Sequence, residues 1–400
     1  MLQDQSKKLP QVFSDPKMRF QCRNYSIAIF IFFVLFCSFS LFGLSVIQSK
    51  LPPDEHKSNN TTHVIKFDYP PTAPAHISDQ FKNWSLTPKI LSGLWNAVKN
   101  SPINPKTGRH FLFFSVANEG MINFVLNSLC SLSMAGIPSN YRITIALDQE
   151  SYDAVKNIGQ NVLLLESNYV RQAVNNRKLI DFYNIVKVRP TILHQLLLWN
   201  VEAILVDADT VFLENPLDLF NDEADFEVQS DSRIWYKIPY QEMPVPWDVN
   251  LGYYKLHPTP TVMKLIPLWF EKMYTNPKIQ DQSALRKVLK PYPTSWLNNE
   301  TVIVDTSKLL GNDYPNLTLR YLDPILIANA GGLYQEKGLE WRKEALKNNI
   351  TRPKMVHFFH LGFIRQKVGL IKDQHLIYYD KNRQCLTQEP DGATHFKAWS

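Results

Sequence analysis

Along most of the chain, apolar residues fall into short runs bounded by polar turns, and the spacing inside each run separates strand from helix. Phe111-Leu-Phe-Phe-Ser-Val-Ala117 is a continuous apolar run that predicts a buried first strand, with Asn118-Glu119-Gly120 as the loop at its carboxyl end. Met121 to Ala135 carries apolar residues at helical spacing. Tyr141 to Asp148 reads as the next strand, Glu150 to about Ile158 as a polar helix, and Val162 to Leu165 as a third strand. A helix over Pro190 to Trp199 then leads into Ala203-Ile-Leu-Val-Asp207-Ala-Asp209, a strand that ends in two acids. Strand and helix alternate throughout this half, which predicts an α/β fold with a mostly parallel sheet and helices on both faces. The second half is more mixed. Phe226 to Asp231 and Val249 to Leu256 read as strands, Thr261 to Tyr274 and Ser283 to Leu289 as helices, and Met355 to Gly362 as a late strand and loop.

The first hundred residues have a different pattern. No charged residue occurs from Asn24 through Ser49, and Ile27 to Ile47 is almost wholly apolar. As a helix that stretch would span roughly 30 Å, the thickness of a bilayer's hydrocarbon layer. Lys7, Lys8, Lys17, Arg19 and Arg23 precede it, against Asp4 and Asp15, while the charges just after it nearly cancel. By the positive-inside rule, residues 1–25 form a cytosolic tail, 26–47 a transmembrane signal anchor, and the remainder is luminal. A cleaved signal peptide, the alternative, has a shorter apolar core and a less extended basic flank. Pro52-Pro53, Pro70-Pro71 and Pro74 mark residues 48–108 as a stem, with a short helix from Ser85 to Asn100 inside it. Residues 109–385 read as the globular domain and 386–400 as a C-terminal tail.

Composition adds bounds. An apolar fraction of 44% is enough for a large core. The net charge of +6 is modest, and its basic residues are scattered or near the N-terminus, so nucleic acid is excluded as a partner. Past the apolar span the chain carries six Asn-x-Ser/Thr sequons, at Asn59, Asn60, Asn83, Asn299, Asn316 and Asn349, which agree with passage through the secretory route. Of four cysteines only Cys130 and Cys385 are luminal. At most one intramolecular disulfide is therefore open to this part of the chain, and Cys130, on an apolar helix face, suits a buried free thiol equally well.

The chemistry centres on Asp207-Ala-Asp209. Residues two apart on a strand share a face, and two carboxylates held close repel unless a cation sits between them. Mn²⁺ or Mg²⁺ takes such oxygen ligands and keeps open positions for substrate phosphates. The pair thus predicts a metal site at the carboxyl edge of the sheet, where open α/β folds place their ligands.

Taken together, Phe114-Ser-Val-Ala-Asn118, Asn127-Ser-Leu-Cys130-Ser-Leu, Val206-Asp207-Ala-Asp209-Thr-Val-Phe with Asn215-Pro216, Asn250-Leu-Gly252-Tyr, Asp281-Gln282 and Val356-His357 resemble a nucleotide-diphospho-sugar transferase. The likeness is to the Golgi retaining glycosyltransferases related to plant cell-wall xylosyl- and arabinosyltransferases, and it covers about Phe111 to Tyr379. It implies a glycosyltransferase-A type fold. It also implies a metal-dependent transfer of sugar from a UDP-sugar to a glycan or glycoprotein acceptor in the Golgi lumen, with retention. On this resemblance Asp207, Asp209 and His357 hold the metal. Asn118, Arg189, Asn250 and Gly252 join the acidic pair in donor binding, and Asp281 and Gln282 act at the sugar. Lys187 competes with Arg189, His360 with His357, and Arg365 and Lys372 with Lys367 for a phosphate. The late histidine departs from the family's His-x-Asn pattern, since His357 is followed by Phe358-Phe359. Gly252 is read as allowing the sugar close to the backbone.

Two other classes compete. Asp207-Ala-Asp209-Thr-Val211 also fits the first motif of haloacid-dehalogenase phosphatases, in which the first Asp is a nucleophile. That reading needs a later acidic pair for Mg²⁺, and Gly311-Asn-Asp313 lacks the second acid. The third reading is a transferase-like luminal protein that binds sugar without turnover.

Overall fold

In the computed structural model the described residues are 86–165, 179–230, 249–276, 279–292, 294–297, 300–329, 338–358, 364–391 and 393. The apolar span, most of the stem, His360 and the sequons at Asn59, Asn60, Asn83 and Asn299 lie outside them. No helix among the described residues is long and apolar enough to cross a membrane.

The helix expected within the stem exists as α1 (Pro88–Asn100). Thr87 Oγ1 accepts from Ile90 N and Pro88 supplies a preset φ at its start. Its apolar face, Ile90, Leu94 and Val98, is buried in the main core, so residues 88–100 are part of the folded body. At the other end, Leu386 N donates to Tyr378 O and Ala393 is buried, which carries the body past residue 385.

β1 (Phe111–Ala117) is buried along its whole length, as its unbroken apolar run predicts. Leu112, Phe114 and Val116 face one core cluster, and Phe111 and Phe113 face another, so the period of two is used on both sides. α2 (Ile122–Met134), β2 (Arg142–Ala146), α3 (Gln149–Asn157) and β3 (Val162–Leu164) follow close to their expected places. α4 (Leu179–Leu198) differs. It begins eleven residues before the expected start at Pro190, which lies inside the helix. Proline reads locally as a helix start, but buried Val186 and Val188 upstream carry the packing that extends it. β4 (Glu202–Val206) and β5 (Thr210–Phe212) flank the acidic pair.

The rest comprises β6 (Phe226–Ser230), β7 (Val249–Leu256), α5 (Pro260–Tyr274), α6 (Asp281–Leu289), β8 (Thr294–Trp296), β9 (Thr301–Val304), α7 (Ser307–Leu310), β10 (Leu317–Tyr321), β11 (Ile327–Asn329), α8 (Gly338–Lys347), β12 (Met355–His357) and α9 (Ile364–Asp373). Among the described residues, the central sheet has nine strands in the order β3-β2-β1-β4-β7-β6-β10-β9-β8. Helices α1, α4, α5 and α6 cover one face; α2 packs on the other, beside a small sheet ordered β11-β12-β5.

The fold is therefore mixed α/β, but the sheet is not mostly parallel. Strands β3, β2, β1 and β4 are parallel neighbours; β7 then enters antiparallel to both β4 and β6. The reversal has a consequence for the site. It lays the start of β7 against the end of β4, and Asp207 N donates to Gly252 O at 2.7 Å.

Cys130 on α2 is bonded to Cys385 across a sequence separation of 255. Nearby, Asn127 Nδ2 donates to Leu376 O at 3.0 Å and Asn127 Oδ1 accepts from Tyr378 N at 2.7 Å, so α2 holds the C-terminal segment at three points. A cross-link over so long a loop contributes about 2–4 kcal/mol. Cys385→Ser should lower the melting temperature by on the order of 5 °C in differential scanning calorimetry; an unchanged transition would show that the two amide bonds suffice.

Candidate functional site

The acidic pair does not sit on a strand. β4 ends at Val206, and Asp207 and Asp209 lie in the turn to β5. Tertiary pairing aligns them instead. β12 runs antiparallel to β5 with His357 opposite Thr210, and Phe358 N donates to Asp209 O at 2.9 Å. α2 braces the same turn from below: Ser128 Oγ and Thr210 Oγ1 are 3.0 Å apart, and Ser131 Oγ accepts from Phe212 N at 3.0 Å. The Asn127-Ser-Leu-Cys130-Ser stretch thus earns its place as scaffolding of the turn and of the C-terminal segment.

His357 Nε2 is 3.3 Å from Asp209 Oδ1 and 3.6 Å from Asp207 Oδ2. The outer oxygens face cations: Asp207 Oδ1 pairs with Arg189, and Asp209 Oδ2 with Lys367. One nitrogen and two carboxylate oxygens, all within 4.8 Å of one another, form a donor set suited to a divalent ion. The two spacings are close to the roughly 3 Å between adjacent corners of an octahedron with bonds of ~2.1 Å. A histidine nitrogen among the ligands suits a transition-metal ion better than Mg²⁺, which prefers oxygen alone. These residues would hold such an ion.

The charges around the pair are strongly coupled. Burial works against ionised Asp209, yet Lys367 and His357 hold its carboxyl well below the usual range. Burial lowers His357, but Asp209 and Asp207 raise it above its ordinary value overall. Arg189 bridges the pair to the second acidic residue. Its guanidinium is bound to Asp207 and lies 3.4 Å from Asp281 Oδ2, and both acids offset its burial and raise its pKa. Asp281 itself is pushed up by burial and by Asp207, against the pull of Arg189.

Asp281 is the first residue of α6, not its cap, and Trp269 Nε1 donates to its backbone carbonyl at 2.8 Å. Gln282 Oε1 accepts from Leu251 N at 3.1 Å, so its amide oxygen is engaged by β7. Asn250 Oδ1 accepts from Gly252 N at 2.8 Å, a local turn that shapes the strand. Gly252 stands against the histidine: a Cβ there would fall 2.5 Å from His357 Nδ1 and 2.7 Å from Nε2, so the glycine makes room for the histidine ring. Asn118 is buried at the carboxyl end of β1, and its Oδ1 has no hydrogen-bond partner among the described residues. Of the competing basic residues, Arg189 touches the pair, as does Lys367, whereas Lys372 is exposed.

Two features escaped sequence reasoning. Gln229 Oε1 is 2.9 Å from His357 Nδ1. Glu202, Asp222 and His257 also approach closely enough for a metal. There, however, Lys255 Nζ lies 2.7 Å from Glu202 Oε2 and pairs with Asp222, so a cation already fills the cluster. The missed signal in both cases was a polar residue at an inward position of a strand covered on both faces.

The family model described as nucleotide-diphospho-sugar transferase matches residues 140–369, more than half of the chain. The chain belongs to the nucleotide-diphospho-sugar transferases. The matched span holds Arg189, Asp207, Asp209, Asn250, Gly252, Asp281, Gln282, His357 and Lys367. No curated protein matches the chain by sequence. Among solved structures, the galactosyltransferase LgtC in complex with donor and acceptor sugar analogs is 11% identical, with a TM-score of 0.37, covering 72% of this chain and 94% of that one. Mouse xyloside xylosyltransferase 1 is 12% identical, with a TM-score of 0.36, covering 64% of this chain and 99% of that one. The bifunctional glycosyltransferase WbbM is 12% identical, with a TM-score of 0.38 over 66% of this chain; the chain spans about half of its length, 48%. Family membership takes the acidic pair out of the phosphatase reading and into the nucleotide-diphospho-sugar transferase family.

Proposed function

We propose that this transferase is of the glycosyltransferase-A type and uses Mn²⁺ to transfer sugar from a UDP-sugar to a glycan or glycoprotein, with retention. The observation that carries the reading is the facing of His357 Nε2 and the inner oxygens of Asp207 and Asp209, with Arg189 linking them to Asp281. When bound, a divalent ion supplies Lewis-acid stabilisation to the diphosphate as negative charge develops on it. Asp207, Asp209 and His357 hold it. Lys367 and Arg189 bring positive charge to the same edge of the sheet, where it offsets the charge of the phosphates. Asn118, with its buried free carbonyl oxygen, receives a donor N–H or O–H from the nucleoside. Asp281 binds sugar hydroxyls, and Gln282, its oxygen held by Leu251 N, positions the sugar next to Asp281. The acceptor hydroxyl attacks from the face of the departing phosphate, and a diphosphate oxygen takes its proton.

The site works, on this proposal, on the luminal side of the Golgi membrane, with 26–47 as signal anchor and the six sequons as glycosylation positions. The Cys130–Cys385 disulfide supports an oxidising compartment, and Asn316 and Asn349 are exposed. The test is direct. Purified full-length protein should bind UDP in calorimetry only with Mn²⁺ and should slowly hydrolyse one member of a UDP-sugar panel. Absence of both metal-dependent binding and hydrolysis sinks the enzyme reading and leaves the non-catalytic one. The anomeric configuration of the product, read by NMR, decides retention. Glycosidase treatment should shift the cell-derived protein to lower mass.

A further inference from the structure

We infer that Gln229 is a positioning residue that sets which ring nitrogen of His357 faces the acidic pair; this rests on the metal reading above. The pairing of β6 with β7 breaks at this point. Val228 lies opposite Tyr254, but Gln229 lies opposite Asn250, so Leu251, Gly252 and Tyr253 fall out of register with β6. Irregularities of this kind re-aim side chains beside functional sites. Here the break makes a socket. Gly252 forms one wall against the His357 ring, and Gln229 faces its Nδ1 at 2.9 Å. Gln229 and His357 are 2% and 1% exposed, so water does not compete for that nitrogen.

The chemistry follows from the single proton of a neutral imidazole. On one side of the ring stand Asp209 Oδ1 and Asp207 Oδ2, which as carboxylates only accept. Left to themselves they favour the tautomer with the proton on Nε2, whose lone pair would then point away from the metal. Gln229 Oε1 is the counterweight. By accepting from Nδ1–H it keeps the Nε2 lone pair directed at the space shared with the two acids. Histidine ligands are generally oriented in this way by the partner of their other nitrogen. An amide does so without adding a third negative charge to a site already holding two.

Titrating the full-length protein with Mn²⁺ alone, followed by the electron paramagnetic resonance of the free ion, tests this. Gln229→Met should weaken Mn²⁺ binding about 10- to 100-fold, while Gln229→Glu, which keeps an acceptor of the same length, should stay near wild type. Equal affinity in Gln229→Met and wild type overturns the inference, and so does a loss in Gln229→Glu as large as in Gln229→Met. A measurement on the wild type needs no variant to fold: with Zn²⁺ as a diamagnetic probe, long-range ¹H–¹⁵N NMR should place the His357 proton on Nδ1, and a proton on Nε2 overturns the inference. Wild type that binds UDP but no Mn²⁺ removes the metal reading itself, a result distinct from all of these.

Discussion

Gly252→Ala should abolish Mn²⁺-dependent UDP binding as completely as Asp209→Asn does, although alanine adds one methyl group and removes no ligand. The added carbon would stand 2.5 Å from His357 Nδ1 and 2.7 Å from Nε2, far inside van der Waals contact. The ring has nowhere to retreat. Gln229 lies behind it, the two acids stand in front, and its strand is held in register by β5 and β11. Gly252 is equally fixed, since its carbonyl accepts from Asp207 N and its own N–H is held by Asn250. Something must move by about an ångström, and metal ligands must hold their distances to within about 0.2 Å, so the ring would drop out of the donor set. Overpacking elsewhere costs about 1–3 kcal/mol, so the variant should still fold. Calorimetry of UDP with and without Mn²⁺, next to a thermal melt, separates the two effects. Wild-type affinity in a folded Gly252→Ala protein would mean that His357 is not a ligand, whereas Asp209→Asn would still lose the metal dependence.

Lys255→Met should be the most destabilising single change outside the site, by about 3–5 kcal/mol, the usual cost of breaking a buried ion pair from one side. The side chain of Lys255 is 4% exposed and those of Glu202 and Glu227 are 0% exposed. Lys255 serves Glu202 and Asp222; Arg320 pairs with Glu227 at 2.7 Å. His257 stands between, with Nδ1 3.4 Å from Glu202 and Nε2 3.5 Å from Glu227. Methionine would fill the space of the stem and leave two carboxylates short of a cation. The midpoint of thermal unfolding should fall by about 10 °C. A shift below about 1 °C would show that His257 alone neutralises the cluster.

The pH dependence of this cluster has two limbs. Burial would raise the Glu202 carboxyl, but the His257 hydrogen bond, the Lys255 charge and the Asn104 amide hold it at about 2. A depressed folded pKa contributes stability above the unfolded value of about 4.3, and that contribution is lost as pH falls towards 2. Burial lowers His257, yet its bonds to Glu202 and Glu227 raise it overall. A raised folded pKa contributes fully below the unfolded value of about 6.5 and fades as pH climbs through the folded one. The cluster is therefore strongest between about pH 4.5 and 6.5. Losing Lys255 relaxes the hold on Glu202, so acid unfolding of Lys255→Met should begin at a higher pH than in wild type.

Much of this molecule was legible before folding. The run Phe111–Ala117 announced a strand buried on both faces, and it is one. The acidic pair, Asn250-Leu-Gly252 and Asp281-Gln282 were visible as motifs, and Arg189, Asp207, Asp209, Asp281 and His357 do come together. The local signals misled where tertiary contact overrode them. Pro190 suggested a helix start because proline is at ease there, but the buried face upstream prolongs the helix. Gly252 gave no local hint of the imidazole that its missing side chain makes room for. Gln229, Glu202 and Lys255 passed unnoticed because a polar residue inside a strand looks like an error of pattern until its partner is seen.

By itself the sequence determined the family, the alternation of strands and helices, and the residue types that can bind a cation, because periodicity and side-chain chemistry are local properties. Only the tertiary structure decided that β7 runs antiparallel beside β4, that β12 pairs with β5, and that the disulfide closes. Those pairings bring His357 within reach of carboxylates 150 and 148 residues earlier in the chain. The physical reason is that strand register is set by side chains meeting across a core, and no window along the chain contains both partners.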